Sequence, residues 1–439
     1  MRILITAAVL SIIGSASGLR AQPPAEKPDS ALQRLLLQLG DEDFVVREQA
    51  AKQLRAAGAK ALPVLRKAVE HEDAEVQRQA RELLAEIETV LLLSPKLVTL
   101  KVVNKPLDEI VKEVAVQTGY KIDCFGPNPR QLQSYDFAET PFWEVIDKIN
   151  RDGGFTLQQT YGDLTVRLQH VDGYARHVSH DGAFRFVATG FQQLRQIDLS
   201  VARITPTPVV HNETLTFQFS VCSEPKLPIL GMGEVKLLAA YDSERNSMLP
   251  PAVPLEELQP GPGARGRWTS GRYGNNRTLM HQTQVQLVRS SEKASSVKLL
   301  RGSIPVHLLV EQKQVVVAEK IAEAKGKKAK FGSITISIDD VVVMANKQVQ
   351  VKLMVSEENH GGDYSWTNTL YQRFELQDSK GNKYTNTGSG WSSSGPAAVN
   401  MTLNFNSPAN AEGPGKLMFQ SWTTAQHQIT FEFKDLPLP

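Results

Sequence analysis

The chain has 439 residues, with 49 basic and 47 acidic side chains and two cysteines. Without Arg2 and Arg20, both in an N-terminal stretch built like a cleavable leader, the formal charge of +2 falls to zero. That balance excludes a general electrostatic reason to bind nucleic acid or an anionic membrane surface, and two cysteines make no disulfide framework.

Residues 1–21 read as a signal peptide, with Arg2 as the positive end, Ile3 to Ile13 as the apolar core and Ala16-Ser17-Gly18 as a small-x-small cleavage site. The apolar run is too short to span a bilayer. No Cys follows it, which argues against a lipid anchor, and no later stretch has the length and apolarity of a membrane helix. The expectation is an exported protein, periplasmic or extracellular. Residues 22–29 form a Pro-rich tether. Residues 30–95 are helical throughout and repeat: Glu42-Asp43, Val46, Gln49-Ala50 and Leu54 recur thirty residues later as Glu72-Asp73, Val76, Gln79-Ala80 and Leu84. Between the copies, Pro63 stands in the first turn of another helix. This pattern resembles short HEAT-type repeats, which stack into protein-binding surfaces. Two copies are fewer than the three or so that such a stack needs to stand alone.

Residues 96–170 carry a strand–helix order that occurs twice. Val98 to Val102 alternates apolar and polar residues, the period of a strand with one buried face. Pro106 opens a helix in which Leu107, Ile110, Val111, Val114 and Val116 put most of the apolar groups on one face, and Gly119 ends it. Tyr120, Ile122 and Cys124 resume a strand; Tyr135 to Phe137 form another, and Thr140-Pro141 opens a second helix that Gly153-Gly154 stops. Strands on either side of Tyr161-Gly162-Asp163 read as a hairpin. The β-α-β-β-α-β-β order, with Pro106-Leu107, Gln117-Thr118-Gly119 and Thr140-Pro141 at its corners, resembles the short N-terminal domain shared by secretins and TonB-dependent receptors. That resemblance implies a non-catalytic module that binds other proteins in the bacterial periplasm.

Residues 171–183 read as a polar connector. After it come period-two segments in two runs, residues 184–319 and 331–439, separated by a Lys-rich linker at 320–330. Many short strands with Gly, Asn and Pro turns predict two antiparallel β-sandwiches. The runs look like copies: a strand ends at Ser223-Glu224 in one and Ser356-Glu357 in the other. A later strand runs into Asp242-Ser243-Glu244-Arg245-Asn246 in the first and Asp378-Ser379-Lys380-Gly381-Asn382 in the second. Ile429, Phe431 and Phe433 read as the closing strand of the second run. The fold class is thus multidomain α+β: HEAT-like helices, a small βαββαββ domain and two C-terminal sandwiches. The layout as a whole resembles exported bacterial proteins that join the same three kinds of module.

No Gly-x-Ser-x-Gly elbow, zinc-protease helix motif or phosphate loop occurs, so no catalytic group, cofactor or metal is expected. His170, Asp172, His177, His180 and Asp181 are the densest set of potential ligands, but their spacing fits no familiar zinc pattern. Asp339-Asp340 reads as a turn pair. The cysteines Cys124 and Cys222 read as buried free thiols. Candidate ligand-contact residues are Tyr364, Trp366 and Trp391, whose aromatic faces in Gly/Ser-rich segments suit sugar rings, and the basic loop with Arg265, Arg267, Trp268 and Arg272, which suits a protein or an acidic polymer. Core packing accounts for Trp366 and Trp391 equally well, and at least one of them is expected to be buried. The functional expectation is a non-enzymatic adaptor of the cell envelope with a protein partner. Polysaccharide binding through the last sandwich, or service as an accessory subunit of an envelope enzyme, are the alternatives.

Overall fold

The computed structural model describes residues 28–126, 131–159, 164–171, 173–197, 211–251, 278–289, 291–358, 365–393, 395 and 397–439. The chain divides into two compact units, Met1–Leu92 and Leu93–Pro439. It is a mixed α+β protein, helical at the start and dominated by antiparallel sheets afterwards. The leader and most of the tether lie outside the described residues, whereas Pro28 and Asp29 already belong to the first helix.

Four helices build the first unit: α1 (Pro28–Gln38), α2 (Phe44–Ala57), α3 (Leu62–Ala68) and α4 (Ala74–Leu93). The repeated acidic pairs are helix caps. Asp43 Oδ1 accepts the Val45 N–H at 2.8 Å, and Asp73 Oδ1 accepts those of Glu75 at 2.7 Å and Val76 at 3.3 Å. A helix start leaves its first N–H groups without intrahelical partners, and a carboxylate one residue ahead supplies one. Ala50 and Ala80 stand at matching positions in the core, where a methyl group lets the helices approach closely. The register slips only at the last matched position: Leu54 is buried, but Leu83 rather than Leu84 takes its place in the second copy.

The second unit begins with β1 (Leu97–Pro106), α5 (Leu107–Thr118), β2 (Ile122–Phe125), β3 (Leu132–Pro141), α6 (Phe142–Gly153), β4 (Phe155–Gln158) and β5 (Val166–His170), the order expected. Its two halves are punctuated alike. Pro106 and Pro141 are the N-caps, and Gly119 and Gly154 close the helices at φ 73° and 69°, thirteen positions later in both (106 to 119, 141 to 154). Only a residue without Cβ takes that left-handed conformation at little cost. Strand β1 pairs antiparallel with β3, while β5 lies parallel to β2 and antiparallel to β4. Helix α6 buries Phe142, Trp143, Val145, Ile146 and Ile149 on one face. The Tyr161-Gly162-Asp163 connection lies outside the described residues.

Fourteen further strands follow: β6 (Val178–Asp181), β7 (Phe184–Ile197), β8 (His211–Ser223), β9 (Ile229–Met232), β10 (Lys236–Asp242), β11 (Met280–Leu287), β12 (Ser296–Ala318), β13 (Lys328–Phe331), β14 (Ile334–Val343), β15 (Val349–Glu357), β16 (Phe374–Gln377), β17 (Thr385–Ser393), β18 (Ala398–Asn406) and β19 (Lys416–Pro437). They form sheets in the orders β11-β8-β7-β6, β10-β12-β19-β16 with β9 also on β12, and β13-β14-β15-β18-β17. The middle sheet serves both runs. Strands β12 and β19 pair along nearly their whole lengths, from Ser296↔Pro437 to Ala318↔Leu417.

Several expectations change, the first of them because of that sharing. Phe431 and Phe433 do not complete the second run. They pack on Phe186, Phe217 and Phe219 of the first, with Phe219 and Phe431 centroids 4.8 Å apart and Phe217 and Phe433 5.4 Å apart. The other end of β19 supplies Leu417 and Phe419 to the core beneath β14, β15 and β18. The stretch expected as a linker contributes Ile321 and Ala324, both fully buried, and then strand β13; its lysines mask two apolar positions. The stretch expected as a connector contains β6, which extends the first sheet beside β7. Asp339-Asp340 lies inside β14, at a bulge between Ile338 and Asp340, not at a turn.

The paired turns noted in the sequence match bond for bond. Asp242 Oδ1 accepts the N–H groups of Glu244 (2.9 Å) and Asn246 (2.8 Å), and Asn246 Nδ2 donates to Asp242 Oδ2 at 3.1 Å. Asp378 Oδ1 accepts those of Lys380 (2.9 Å) and Asn382 (2.8 Å), and Asn382 Nδ2 donates to Asp378 Oδ2 at 2.8 Å. The position with positive φ is Arg245 at 67° in the first and Gly381 at 84° in the second.

Candidate functional site

Two buried ionic knots tie the small αβ region to the first strands after it. Asp147, on α6, takes Arg185 of β7 with both oxygens: Nη2 donates to Oδ1 at 2.6 Å and Nε lies 2.9 and 3.0 Å from the pair. His180 Nε2 is 2.8 Å from Asp147 Oδ2. The Arg185 guanidinium lies 6.0 Å from the Trp143 ring centroid, and the Trp143 indole donates to the Ala183 carbonyl at 3.2 Å. Burial alone would raise the Asp147 carboxyl, but His180 and Arg185 outweigh it and hold the group below its usual 3.8. The second knot centres on Glu224, which is fully buried. Its oxygens accept the Tyr120 hydroxyl at 2.6 Å and the Lys96 N–H at 3.0 Å, while Lys226 Nζ stands 4.0 Å away and donates to the Ser94 carbonyl. Burial raises the Glu224 carboxyl above its usual 4.5, with Tyr120 acting in the opposite direction.

Neither knot offers a nucleophile. Cys124 and Cys222 are free thiols, half-buried and buried, and burial pushes each up to about 11, so both stay protonated near neutrality. His281 is driven down to about 4 by burial and stays neutral. Of the histidine-rich stretch, His180 is engaged by Asp147, and Asp181 Oδ2 accepts from the Thr430 N–H at 2.7 Å and hydroxyl at 2.9 Å. Asp172 lies outside the described residues. Among the described residues no three His, Cys, Asp or Glu side chains gather as metal ligands.

A cleft of about 700 Å³ lies on the last sandwich, between the 3-10 segment Ser365–Arg373 and strand β17. Leu370, Phe374, Val399 and Met401 make its buried apolar floor. Amides and hydroxyls rim it: Thr367, Tyr371 and Gln372 on one side, Asn386, Thr387 and Ser389 on the other. Trp391 borders the cleft with 60% of its surface exposed. The rim is held in place by its own bonds. Gln372 Nε2 donates to Tyr371 Oη at 2.9 Å, Asn386 Oδ1 accepts the Gly388 N–H at 3.0 Å, and the Thr387 hydroxyl donates to the Asn404 carbonyl at 3.2 Å. Arg373 turns the other way, over the rings of Phe419 at 4.3 Å and Trp422 at 4.7 Å.

The structure separates the two tryptophans singled out from sequence. Trp366 is half-buried and packs against the core of the last sandwich, whereas Trp391 faces solvent at the cleft. Tyr364 and the basic loop residues Arg265, Arg267, Trp268 and Arg272 lie outside the described residues. Tyr371, Gln372 and Asn386 carry no signal in the sequence, because their approach depends on a sheet edge that linear spacing does not reveal.

Comparison with known families matches residues 32–118 to HEAT repeats. A comparison with curated proteins gives no match. One solved structure, described as the crystal structure of the conserved domain protein from Bacillus anthracis, aligns over 57% of this chain and 88% of its own at 9% identity, with a TM-score of 0.16, and nothing is carried over from it. The helical start of the chain is therefore HEAT-like, a kind of repeat suited to protein interaction, and no described helix is long and apolar enough to cross a membrane.

Proposed function

We propose that the chain is a non-enzymatic adaptor exported to the bacterial cell envelope, with its helical repeats as the protein-binding end. The observation that carries this reading is the HEAT match at residues 32–118 on helices whose inter-helix turn presents apolar side chains to solvent. Leu37, Phe44 and Val45 flank the α1–α2 turn and are 67%, 64% and 57% exposed. Large apolar groups clustered at one solvent-facing turn mark contact surfaces more often than solubility would favour. The finer layout belongs to the same proposal: a secretin-type short domain at 96–170 followed by two related sandwiches that share a sheet. Export rests on the leader-like residues 1–21.

The test is crosslinking and affinity capture of the full chain from the native envelope, beside a Leu37→Ser/Phe44→Ser/Val45→Ser variant. A reproducible partner lost in the variant is the expected result. Recovery of the protein alone, or a partner retained equally by the variant, removes the proposal. N-terminal sequencing of the envelope fraction tests export: the mature chain should begin after Gly18 or Ala21.

A further inference from the structure

The Trp391 cleft has no place in a protein-binding role confined to the helical repeats. We infer that it is a binding site for a neutral polysaccharide, a role that stands or falls independently of any partner at the helical end.

The lining decides the chemistry. None of the described residues lining the cleft is charged. An anionic ligand, whether a nucleic acid, a phosphorylated headgroup or an acidic polymer, gains affinity from Lys or Arg on its oxygens. The nearest arginine in sequence, Arg373, is committed to Phe419 and Trp422 instead. A purely apolar ligand would displace water from the amides of Gln372 and Asn386 and the hydroxyl of Thr387, whose internal bonds use only part of their hydrogen-bonding capacity, and that is costly. A neutral sugar ring meets both demands. Its C–H faces lie on an aromatic plane and its hydroxyls, each donor and acceptor, meet amides and hydroxyls at the edge.

The placement of Trp391 is the second observation. Strand β17 reads Thr385-Asn386-Thr387-Gly388-Ser389-Gly390-Trp391-Ser392-Ser393, so one large ring stands among the smallest polar residues of the chain. Being 60% exposed, the ring contributes little to the core. Gly388 and Gly390 have no heavy atom within 4 Å of an added Cβ, so they leave open space along the strand before the ring. The rim groups are fixed before any ligand arrives, because Asn386 and Thr387 are bonded to backbone and Gln372 to Tyr371. Pre-set polar groups lose less freedom on binding. The volume of about 700 Å³ falls inside the usual range of ligand sites and suits a few sugar units. Opening along an edge strand suits a chain that continues past the cleft at both ends.

Calorimetric titration of the full chain with chitohexaose, cellohexaose and maltohexaose tests this. At least one should bind. Trp391→Ala should weaken that sugar by about tenfold or more, Trp391→Phe should restore part of the loss, and Gln372→Ala should weaken it through the rim. Melting temperatures of the Trp391 variants should match the parent, which separates lost stacking from lost folding. No binding to any of the three sugars, or equal binding by Trp391→Ala with an unshifted melt, overturns the assignment. Capture of an extended peptide through Trp391 in place of the sugars overturns it as well.

Discussion

Removing the Asp147 carboxylate should be among the most damaging single changes in the second unit. Arg185 is 3% exposed, and its guanidinium meets Asp147 through three N···O contacts of 2.6–3.0 Å. Asp147→Ala leaves that cation beside Trp143 and Cys222 without its counter-ion. Stripping one partner from a buried pair costs about 3–5 kcal/mol. Replacing both, as Asp147→Leu/Arg185→Met, removes the stranded charge and should recover most of the loss, because a buried pair and a well-packed apolar pair differ little in net stability. The measurement is urea unfolding of the full chain, following the transition of the second unit, for the two single variants and the double. The acid limb gives a further check. The Asp147 carboxyl sits below its usual 3.8 in the fold, so its contribution is present above that value and is lost as pH falls through the lower folded value. Asp147→Asn should therefore flatten the fall in stability below about pH 4. A cost below about 1 kcal/mol for Asp147→Ala, a level typical of an exposed pair, would refute the reasoning.

Glu224 predicts the opposite slope. Its carboxyl is raised by burial, so the native state holds the proton longer than the unfolded chain, and stability falls as pH rises above 4.5. Glu224→Gln should remove that fall in pH-dependent melts while keeping an acceptor for the Lys96 N–H; an unchanged pH profile would count against the assignment. Arg245→Gly should stabilise by about 0.5–1 kcal/mol, since a non-glycine residue at φ 67° is strained and Gly381 fills the matching position; a lowered melting temperature would argue that the two turns differ. An isolated fragment of residues 28–93 should melt without a cooperative transition, because two helical pairs rest on a small core of alanines, leucines, Val76 and Ile87; a sharp melt of the monomeric fragment would contradict this.

The parts of the fold that are legible in the sequence are those whose cause is local. Pro106 and Pro141 start helices, Gly119 and Gly154 end them, and each acts within a few residues of itself, so the strand–helix order can be read along the chain. The thirty-residue period of Asp43 and Asp73 is legible for the same reason: each caps the helix that follows it. The Asp242–Asn246 and Asp378–Asn382 turns close within five residues. The sharing of a sheet between the two runs has no such signal. Strand β12 meets β19 across about a hundred residues of chain or more, and an alternating strand reads alike whichever neighbour it takes. Composition misleads at residues 320–330, where lysines surround the buried Ile321 and Ala324. The cleft is half legible: Trp391 stands out by its Gly/Ser setting, but Tyr371 and Gln372 reach it only through the folding of a 3-10 segment against a sheet edge.

The long strands change what a boundary means in this chain. The N-terminal part of β19 lays Leu417 and Phe419 into the core under β14, β15 and β18, and the same strand delivers Phe431 and Phe433 to the sheet that holds Phe186, Phe217 and Phe219. Strand β12 runs alongside it in antiparallel register through both halves. Neither half can therefore bury its inner face with the segment that precedes the Lys-rich stretch or the segment that follows it alone. Opening one half would strip backbone partners from strands still packed in the other, a cost paid in unpaired N–H and C=O groups. Two sandwiches in series, joined by a flexible linker, would bend at the joint. Here the halves are joined instead by β12 and β19, which stay hydrogen-bonded to each other between the two cores, with register shifts at Leu309/Glu311 and Val316/Ala318. The buried Asp147–Arg185 and Glu224–Tyr120 contacts tie the first of these sheets to the αβ region.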